Sequence, residues 1–549
     1  MGGCDSTGAV LVAGISAIAY PAAELTLVAQ RQGAGVIEIN PESDSTFSDY
    51  HGCADRKSRG GPAGRWSNGW SKRNQMSERH MRRTKIVATL GPASADEAVL
   101  RQMLEAGVDV VRINSSHGSP AIWCSWIERV RALSEQMDRH VGVLVDLRGP
   151  RIRVGTLPEP LELADGAKVV FAPESSATND EIPITYPELA NDVEPGSRML
   201  LNDGLIATEV QHVKGDRVHA VVRHGGQLLS NKGINLPGVT VSAPTVTDVD
   251  RETLKVAIDY GANFIGVSFV RRGEDIEGIR KLIPPSVNVV AKIEKAAALD
   301  DLPRIVDVSD VLMVARGDLG VELPFEKVPL TQKRLIAMAN DHACPVITAT
   351  QMLESMIQHP RPTRAEASDV ANAILDGTDA VMLSGETAIG KYPVATVEAM
   401  ARIIVEVEQS FDEFPPKARR SHFRSGDRTS AADDAIASAT TVAATLLDVP
   451  AIVCFTKSGF TARKISAHRP VPPILGLSTE PETCCYLSLV WGVAPVLVRE
   501  VPTYDAMLGR ARDELLKRKF VQEGDRVIVT AGVPFDVPGT TNLLKVETI

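Results

Sequence analysis

Asn288-Val-Val-Ala-Lys-Ile-Glu294 and, one βα interval later, Val311-Leu-Met-Val-Ala-Arg-Gly-Asp318 are apolar runs that each end in charge. Continuous rather than alternating apolarity marks strands covered on both faces, as in a parallel sheet between helices. Residues i and i+2 of a strand share a face, so the Lys292 ammonium and the Glu294 carboxylate point the same way. With Asp318 they set two hard oxygen ligands beside a fixed cation, an arrangement suited to a Mg2+-bound phosphate. A strand-end salt bridge between Lys292 and Glu294 explains the same residues equally well. The trio alone leaves that choice open.

Similar runs begin near Lys85, Val108, Gly142, Phe264, Pro345 and Ala380, which makes eight with the two above. Helix-like stretches such as Asp96 to Ala106 and Asp248 to Tyr260 separate most of them. Eight strands alternating with helices predict an α/β fold, a closed (β/α)8 barrel. The interval between the third and fourth strands is far longer than the others. It holds short alternating segments such as Lys168-Val-Val-Phe171 and Arg217-Val-His-Ala-Val-Val222 among Gly and Pro breaks. We expect a small β domain there, residues 155–241, inserted into a barrel of residues 81–154 and 242–409. A basic, polar linker (Pro415 to Thr429) leads to a separate α/β domain within 410–549, with strands at Ala451 to Phe455 and Arg526 to Thr530.

Polar residues gather where such barrels carry their active sites, at the C-terminal ends of the strands. The second strand ends Arg112-Ile-Asn114-Ser-Ser116-His117, with Arg112, Asn114 and Ser116 expected on one face by parity. The third ends Asp146-Leu-Arg-Gly-Pro-Arg151-Ile-Arg153, and the last two end at Thr350-Gln351 and Ser384-Gly-Glu-Thr387. Structural pairing accounts for two or three such ends. Six converging on one rim point to a site.

Composition narrows the function classes. A net charge of −10 argues against a nucleic-acid surface, and 4% aromatic residues supply few stacking platforms. Seven scattered cysteines without a Cys-x-x-Cys pair indicate reduced thiols rather than a disulfide or zinc framework. No uninterrupted 18-residue apolar run exists, so no membrane span is expected.

Residues 1–80 stand apart. Gly8 to Ala29 is apolar like a signal core, but Asp5 and the lack of Lys or Arg before it contradict that role. Met1-Gly-Gly-Cys-Asp-Ser6 fits the short myristoylation pattern. Residues 13–43 (within about 8–50) resemble the last Rossmann segment of a sirtuin deacylase, without any catalytic part of that family. Tyr50 to Asn74, rich in Gly, Ser and Arg, is expected to be disordered. Met76 and Met81 both precede the first barrel strand, so the extension is expected to be a remnant without function.

From Met81 onward the motifs become specific. Thr84-Lys-Ile-Val-Ala-Thr-Leu-Gly-Pro92, Arg112-Ile-Asn-Ser-Ser-His-Gly118 and Asn231-Lys-Gly-Ile-Asn-Leu-Pro-Gly238 resemble those of pyruvate kinases. So do Ala291-Lys-Ile-Glu294, Ala315-Arg-Gly-Asp-Leu-Gly320, Ala349-Thr-Gln-Met-Leu-Glu-Ser-Met356 and Ser384-Gly-Glu-Thr387. The resemblance implies a cytoplasmic homotetramer that transfers phosphate from phosphoenolpyruvate to ADP, with the inserted domain as a lid. It implies Mg2+ (or Mn2+) on Glu294 and Asp318, with Lys292 and Arg112 stabilising the moving phosphoryl group. Gly317 and Asp318 would offer N–H groups to the substrate carboxylate. Thr350 would lie near the enolate carbon, with a water chain that includes Ser384. Nucleotide contacts fall on Asn114, Ser115, Ser116, His117, Arg153 and, from the lid, Lys232.

One departure is informative. Potassium-dependent members place oxygen ligands at positions matching Asn114, Ser116, Asp146 and a threonine, but Leu147 stands at the threonine position. Arg151 replaces a glutamate, so a fixed cation takes the ion's role and no K+ requirement is expected. Farther on, Thr456-Lys457-Ser458-Gly459-Phe-Thr461 lies between a strand and a helix carrying Arg463 and Lys464, the setting of an anion site. Pyruvate kinases bind sugar-phosphate effectors at the matching loop, so a sugar-phosphate or nucleotide effector is expected there, with Trp491 and residues 531–539 around it. Gly385-Glu-Thr-Ala-Ile-Gly-Lys391 imitates a P-loop, but Tyr392 replaces the Ser/Thr that would reach Mg2+. A metal-dependent aldolase on the same barrel would need neither Lys232 nor Arg153, and a silent effector-binding relative would be expected to lack Lys292, Glu294 or Asp318.

Overall fold

The computed structural model describes residues 9–13, 35–39, 82–202, 204–239, 241–416, 432–499, 504–532 and 541–549. The Met1–Ser6 motif, the Tyr50 to Asn74 stretch, Met76, Met81, most of the linker from Pro415 and most of 531–539 lie outside them. The chain divides into two units, Met1–His80 and Met81–Ile549. In the first, strands Ala9–Ala13 and Gly35–Ile39 pair in parallel.

In the second unit eight parallel strands close into a barrel. They are β1 (Lys85–Thr89), β2 (Val110–Asn114), β3 (Gly142–Asp146), β4 (Phe264–Val267), β5 (Asn288–Ile293), β6 (Val311–Ala315), β7 (Val346–Ala349) and β8 (Ala380–Leu383). β8 pairs with β1 and β3 with β4, so every strand has two neighbours and no edge is left. The helices begin where their sequences allow. Asp96 accepts from Ala98 and Val99 N–H ahead of Glu97–Ala106, and Thr247 with Asp250 forms a capping box ahead of Asp248–Asp259.

The apolar strand residues divide between two clusters. Ile86, Val111 and Val143 face the surrounding helices, whereas Val87, Val110 and Leu144 point inward. The inward set continues into the C-terminal segment through Tyr486, Leu487 and Val490. The Phe264 and Tyr486 rings meet at a tilt, 6.1 Å between centroids, and the buried Arg469–Asp379 pair (3.0 Å) spans the same junction. The N-terminal mouth of the barrel is thereby plugged. The opposite mouth carries the polar strand ends.

The chain between β3 and β4 forms a six-stranded sheet centred on Ile206–Lys214 and Arg217–His224. Its own apolar core includes Phe171, Leu201 and Val218. Residues beyond the barrel build a five-stranded sheet, four strands parallel and the last, Leu543–Thr548, antiparallel. No helix among the described residues is long and apolar enough to cross a membrane.

Candidate active site

A cavity of about 1250 Å3 opens at the C-terminal mouth of the barrel, beneath the inserted sheet. Arg112, Lys292, Glu294, Asp318 and Thr350 line it from the barrel, and Lys232 lines it from the insertion. The strands deliver these groups to one depth because each run ends at the same rim.

Lys292 Nζ lies 2.8 Å from Glu294 Oε1, 3.1 Å from Asp146 Oδ1 and 2.7 Å from Ser268 Oγ. Both sequence readings of the trio therefore hold: the salt bridge exists, and it forms the floor of a cavity. Burial opposes the ammonium charge, but Asp146 and Glu294 outweigh it and hold the Lys292 pKa above its ordinary value. Asp146 also accepts from Arg112 Nε at 3.0 Å and pairs with Arg112 Nη2. Burial pushes the Asp146 carboxyl up, yet Lys292 and Arg112 prevail and its pKa falls below the usual range. Asp146 thus anchors two cations, a part that its motif does not reveal.

Glu294 behaves differently. Burial, relieved in part by Lys292 and reinforced by the nearby Asp318 charge, raises its pKa. Its second oxygen accepts from Phe269 N–H at 2.8 Å, and Phe269 adopts φ +56° to present that group. Two carboxylates that repel each other at the edge of a cavity form a locus for a divalent cation. Each oxygen of Glu294 keeps a second lone-pair direction for it. Among the described residues no group of three or more His, Cys, Asp or Glu side chains forms a metal cluster, so remaining ligands would come from substrate and water.

Arg316–Glu322 forms the short helix expected after β6. Its Gly317 N–H donates to Thr350 Oγ1 at 2.8 Å, a bond that a substrate carboxylate would have to replace to use this group. The Thr350 hydroxyl donates to Ala349 O at 2.7 Å. Ser384 lines the cavity, and its buried hydroxyl has no protein hydrogen-bond partner.

The loop after β2 departs from the expected strand at Ser116. The strand stops at Asn114, so parity does not carry Ser116 onto the face of Arg112; Ser116 N–H instead donates to Asn114 Oδ1 at 3.1 Å. Ser115 donates its hydroxyl to Asp146 O at 2.8 Å. Asn114, His117 and Arg153 do line the cavity. Burial followed by Arg151, Arg153 and Arg112 lowers the His117 pKa, which marks this rim as strongly cationic. Leu147 is buried and offers no side-chain oxygen, its carbonyl accepting from Ser268 Oγ at 2.8 Å, while Arg151 is exposed and lines the cavity.

The Thr456–Thr461 loop joins strand Ile452–Phe455 to helix Phe460–Ala467, with Gly459 at φ +80°. Thr461 Oγ1 meets Thr541 Oγ1 at 2.8 Å, and Lys457 O accepts from Thr483. Lys464 is occupied by Asp433 and Asp434 at 3.3 and 2.8 Å. Trp491 does not belong to this loop: it is buried at the barrel junction, under Arg469 at 5.0 Å.

The family description "Pyruvate kinase, barrel domain" matches residues 81–397, and "Pyruvate kinase, alpha/beta domain" matches 434–547. The chain belongs to the pyruvate kinase family. A pyruvate kinase of Sporosarcina psychrophila is 43% identical over 85% of this chain and 81% of its own length. Pyruvate kinase 2 of Synechocystis is 46% identical over 85% and 79%, and a Mycobacterium tuberculosis pyruvate kinase is 44% identical over 85% and 98%. A crystal structure of a Cryptosporidium parvum pyruvate kinase superposes with a TM-score of 0.78 at 32% identity, covering 85% of this chain and 96% of that one. These pyruvate kinase likenesses make the chain a phosphotransferase on a closed parallel barrel. Nothing in them supports the sirtuin likeness of residues 13–43.

Proposed function

We propose that the cavity transfers the phosphoryl group of phosphoenolpyruvate to ADP, giving pyruvate and ATP, the final step of glycolysis. The observation that carries this reading is Lys292, buried between Asp146, Glu294 and Ser268 at the cavity floor. A charged, pre-placed ammonium stabilises negative charge that develops in the transition state without reorganising at the moment of reaction. Arg112, fixed by Asp146, adds a second cation in a rigid planar fork.

Glu294 and Asp318 would hold Mg2+ (or Mn2+), as their mutual repulsion favours. When bound, the ion neutralises phosphate charge and orients the transferring group. Phosphoenolpyruvate would engage Arg112, Lys292 and the turn at Gly317 and Asp318. Asn114, Ser116, His117 and Arg153 would meet ADP, and Lys232 would come down with the inserted sheet and help expel water. Thr350 and the unpartnered Ser384 hydroxyl, both lining the cavity, would belong to the proton route to the enolate carbon. A hydroxyl is too weak an acid to act alone, so water would connect them.

Three further parts of the reading rest on single features. Leu147 in place of a ligand, with both Asp146 oxygens already facing fixed cations, supports activity without K+. Donors around Thr456, Lys457, Ser458, Gly459 and Thr461 support an effector site for a sugar phosphate or nucleotide. Phe325 and Leu330, 84% and 62% exposed, are apolar surface of the kind an assembly buries, in keeping with a homotetramer. We assign catalysis to residues 81–154 and 242–409, the lid to 155–241 and effector binding to 410–549. We place the enzyme in the cytoplasm and treat residues 1–80 as a remnant. A coupled assay of ADP-dependent pyruvate formation, with and without Mg2+, tests the central reading; pyruvate formation that is independent of ADP or of divalent metal would overturn it.

A further inference from the structure

The loop that follows β7 runs through an unfavourable backbone. Thr350 and Gln351 both have positive φ, +67° and +55°. Non-glycine residues seldom enter this region, β-branched ones least of all. Two in succession persist only where their surroundings over-determine them.

Here most of that restraint comes from one side chain. Arg316, the first residue after β6, donates from Nε to Ala349 O (3.3 Å) and from Nη2 to Thr350 O (2.7 Å) and Gln351 O (3.3 Å). From its other edge, Nη1 donates to Asp369 Oδ2 at 2.6 Å and reaches Gln332 Oε1 at 3.4 Å. The next residue, Gly317, adds its N–H to Thr350 Oγ1. The same short stretch therefore grips both the main chain and the hydroxyl of Thr350. Asp369 sits on helix Arg364–Leu375 and is not among the cavity-lining residues.

We propose that Asp369 is a positioning residue for the protonation half of the reaction. Its carboxylate fixes the Arg316 fork against three successive carbonyls, and the fork sets the direction of the Thr350 hydroxyl. A guanidinium is planar, so pinning one edge by a charge-assisted bond fixes the plane of the other. Without the anion, the cation keeps its attraction to the carbonyls but is free to tilt, and the loop with it. The phosphoryl half relies on Lys292 and Arg112, which are held by Asp146, Glu294 and Ser268 instead. In the affected step the enolate C–C π pair forms a C–H bond with a proton delivered from the Thr350 side. The C–O bond then becomes the ketone, and water reprotonates the donor. The inference rests on the reading of Thr350 given above.

Asp369→Asn in the full chain separates this role from a fold-stabilising one. Two rates are measured on one preparation: ADP-dependent pyruvate formation, and exchange of pyruvate methyl protons with D2O by NMR in Mg2+ and inorganic phosphate. Exchange requires only proton transfer at the methyl carbon. We expect it to fall roughly tenfold, with the KM for phosphoenolpyruvate within about twofold of the parent, as small misplacements cost rate rather than affinity. Arg316→Lys, which keeps the charge but cannot span three carbonyls, should shift the balance the same way and serves if Asp369→Asn does not fold. Equal losses in both rates, or unchanged exchange, overturn the proposal. Thr350→Ala is run alongside. If it exchanges normally, the Thr350 reading fails and this inference falls with it. If it exchanges slowly while Asp369→Asn does not, only the positioning role is lost.

Discussion

Lys292 Nζ and Asp146 Oδ1 lie 3.1 Å apart at the floor of the cavity, and the other Asp146 oxygen holds Arg112. One buried carboxylate therefore sets the position of two cations that come from different strands. The cations are kept apart and charged without substrate, so the phosphate meets a prepared field rather than one it must assemble.

Removing the ammonium should remove most of that field. Lys292→Met is expected to lower kcat by roughly three orders of magnitude, the scale of losing a principal charge-stabilising donor. The coupled pyruvate assay reads it directly. Near-normal turnover would show that the group does not act on the phosphoryl group.

Asp146→Asn should damage the fold as well as the site, because buried Arg112 loses its carboxylate and Lys292 keeps Glu294 alone. A loss of roughly 3–5 kcal/mol is expected, measured by urea unfolding. The pH dependence carries the same signature. The folded Asp146 pKa is depressed, so its stabilisation is complete above the unfolded carboxyl value of about 3.9 and vanishes as pH falls through the lower folded value. The variant should lack that part of the acid transition.

For Glu294 the sign is opposite. Its folded pKa is raised, so the metal-free protein loses stability as pH climbs from the unfolded value of about 4.3 through the folded one. Mg2+ should reverse this, and its effect on Tm should grow with pH across that window. At a metal concentration a hundred times Kd the gain is about 2.7 kcal/mol. Glu294→Gln should abolish most of it. A Tm gain from Mg2+ that survives in the variant would place the ion elsewhere.

Replacing K+ by tetramethylammonium should leave turnover within about twofold, as no ion is needed where fixed guanidinium and ammonium groups supply the charge. The pair of changes Leu147→Thr and Arg151→Glu should create a K+ dependence. A large loss on removing K+ from the parent enzyme would refute the reading of Leu147.

Much of this was legible in advance because it is periodic or local. The eight apolar runs predict the barrel, and the polar residues that end them predict its rim, since a strand's direction determines which end carries function. Local capping at Asp96 and Thr247 is likewise written within a few residues. The errors fall where the chain turns. Strand parity does not reach Ser116, because the strand ends at Asn114. Trp491, which the family resemblance puts near the effector loop, instead packs its ring against Arg469 at the barrel junction.

By itself, then, the sequence determined the barrel, its inserted sheet and the polar rim that carries Lys292, Glu294 and Asp318. Periodic burial and strand direction are local properties of the chain. Only the tertiary structure decided that Asp146 serves Lys292 and Arg112 at once, that Gly317 spends its N–H on Thr350, and that Asp369 reaches the Thr350 loop through Arg316. Each of these joins residues on different strands or helices. A charge or hydrogen bond is fixed by distance in space, and closing the barrel is what sets those distances.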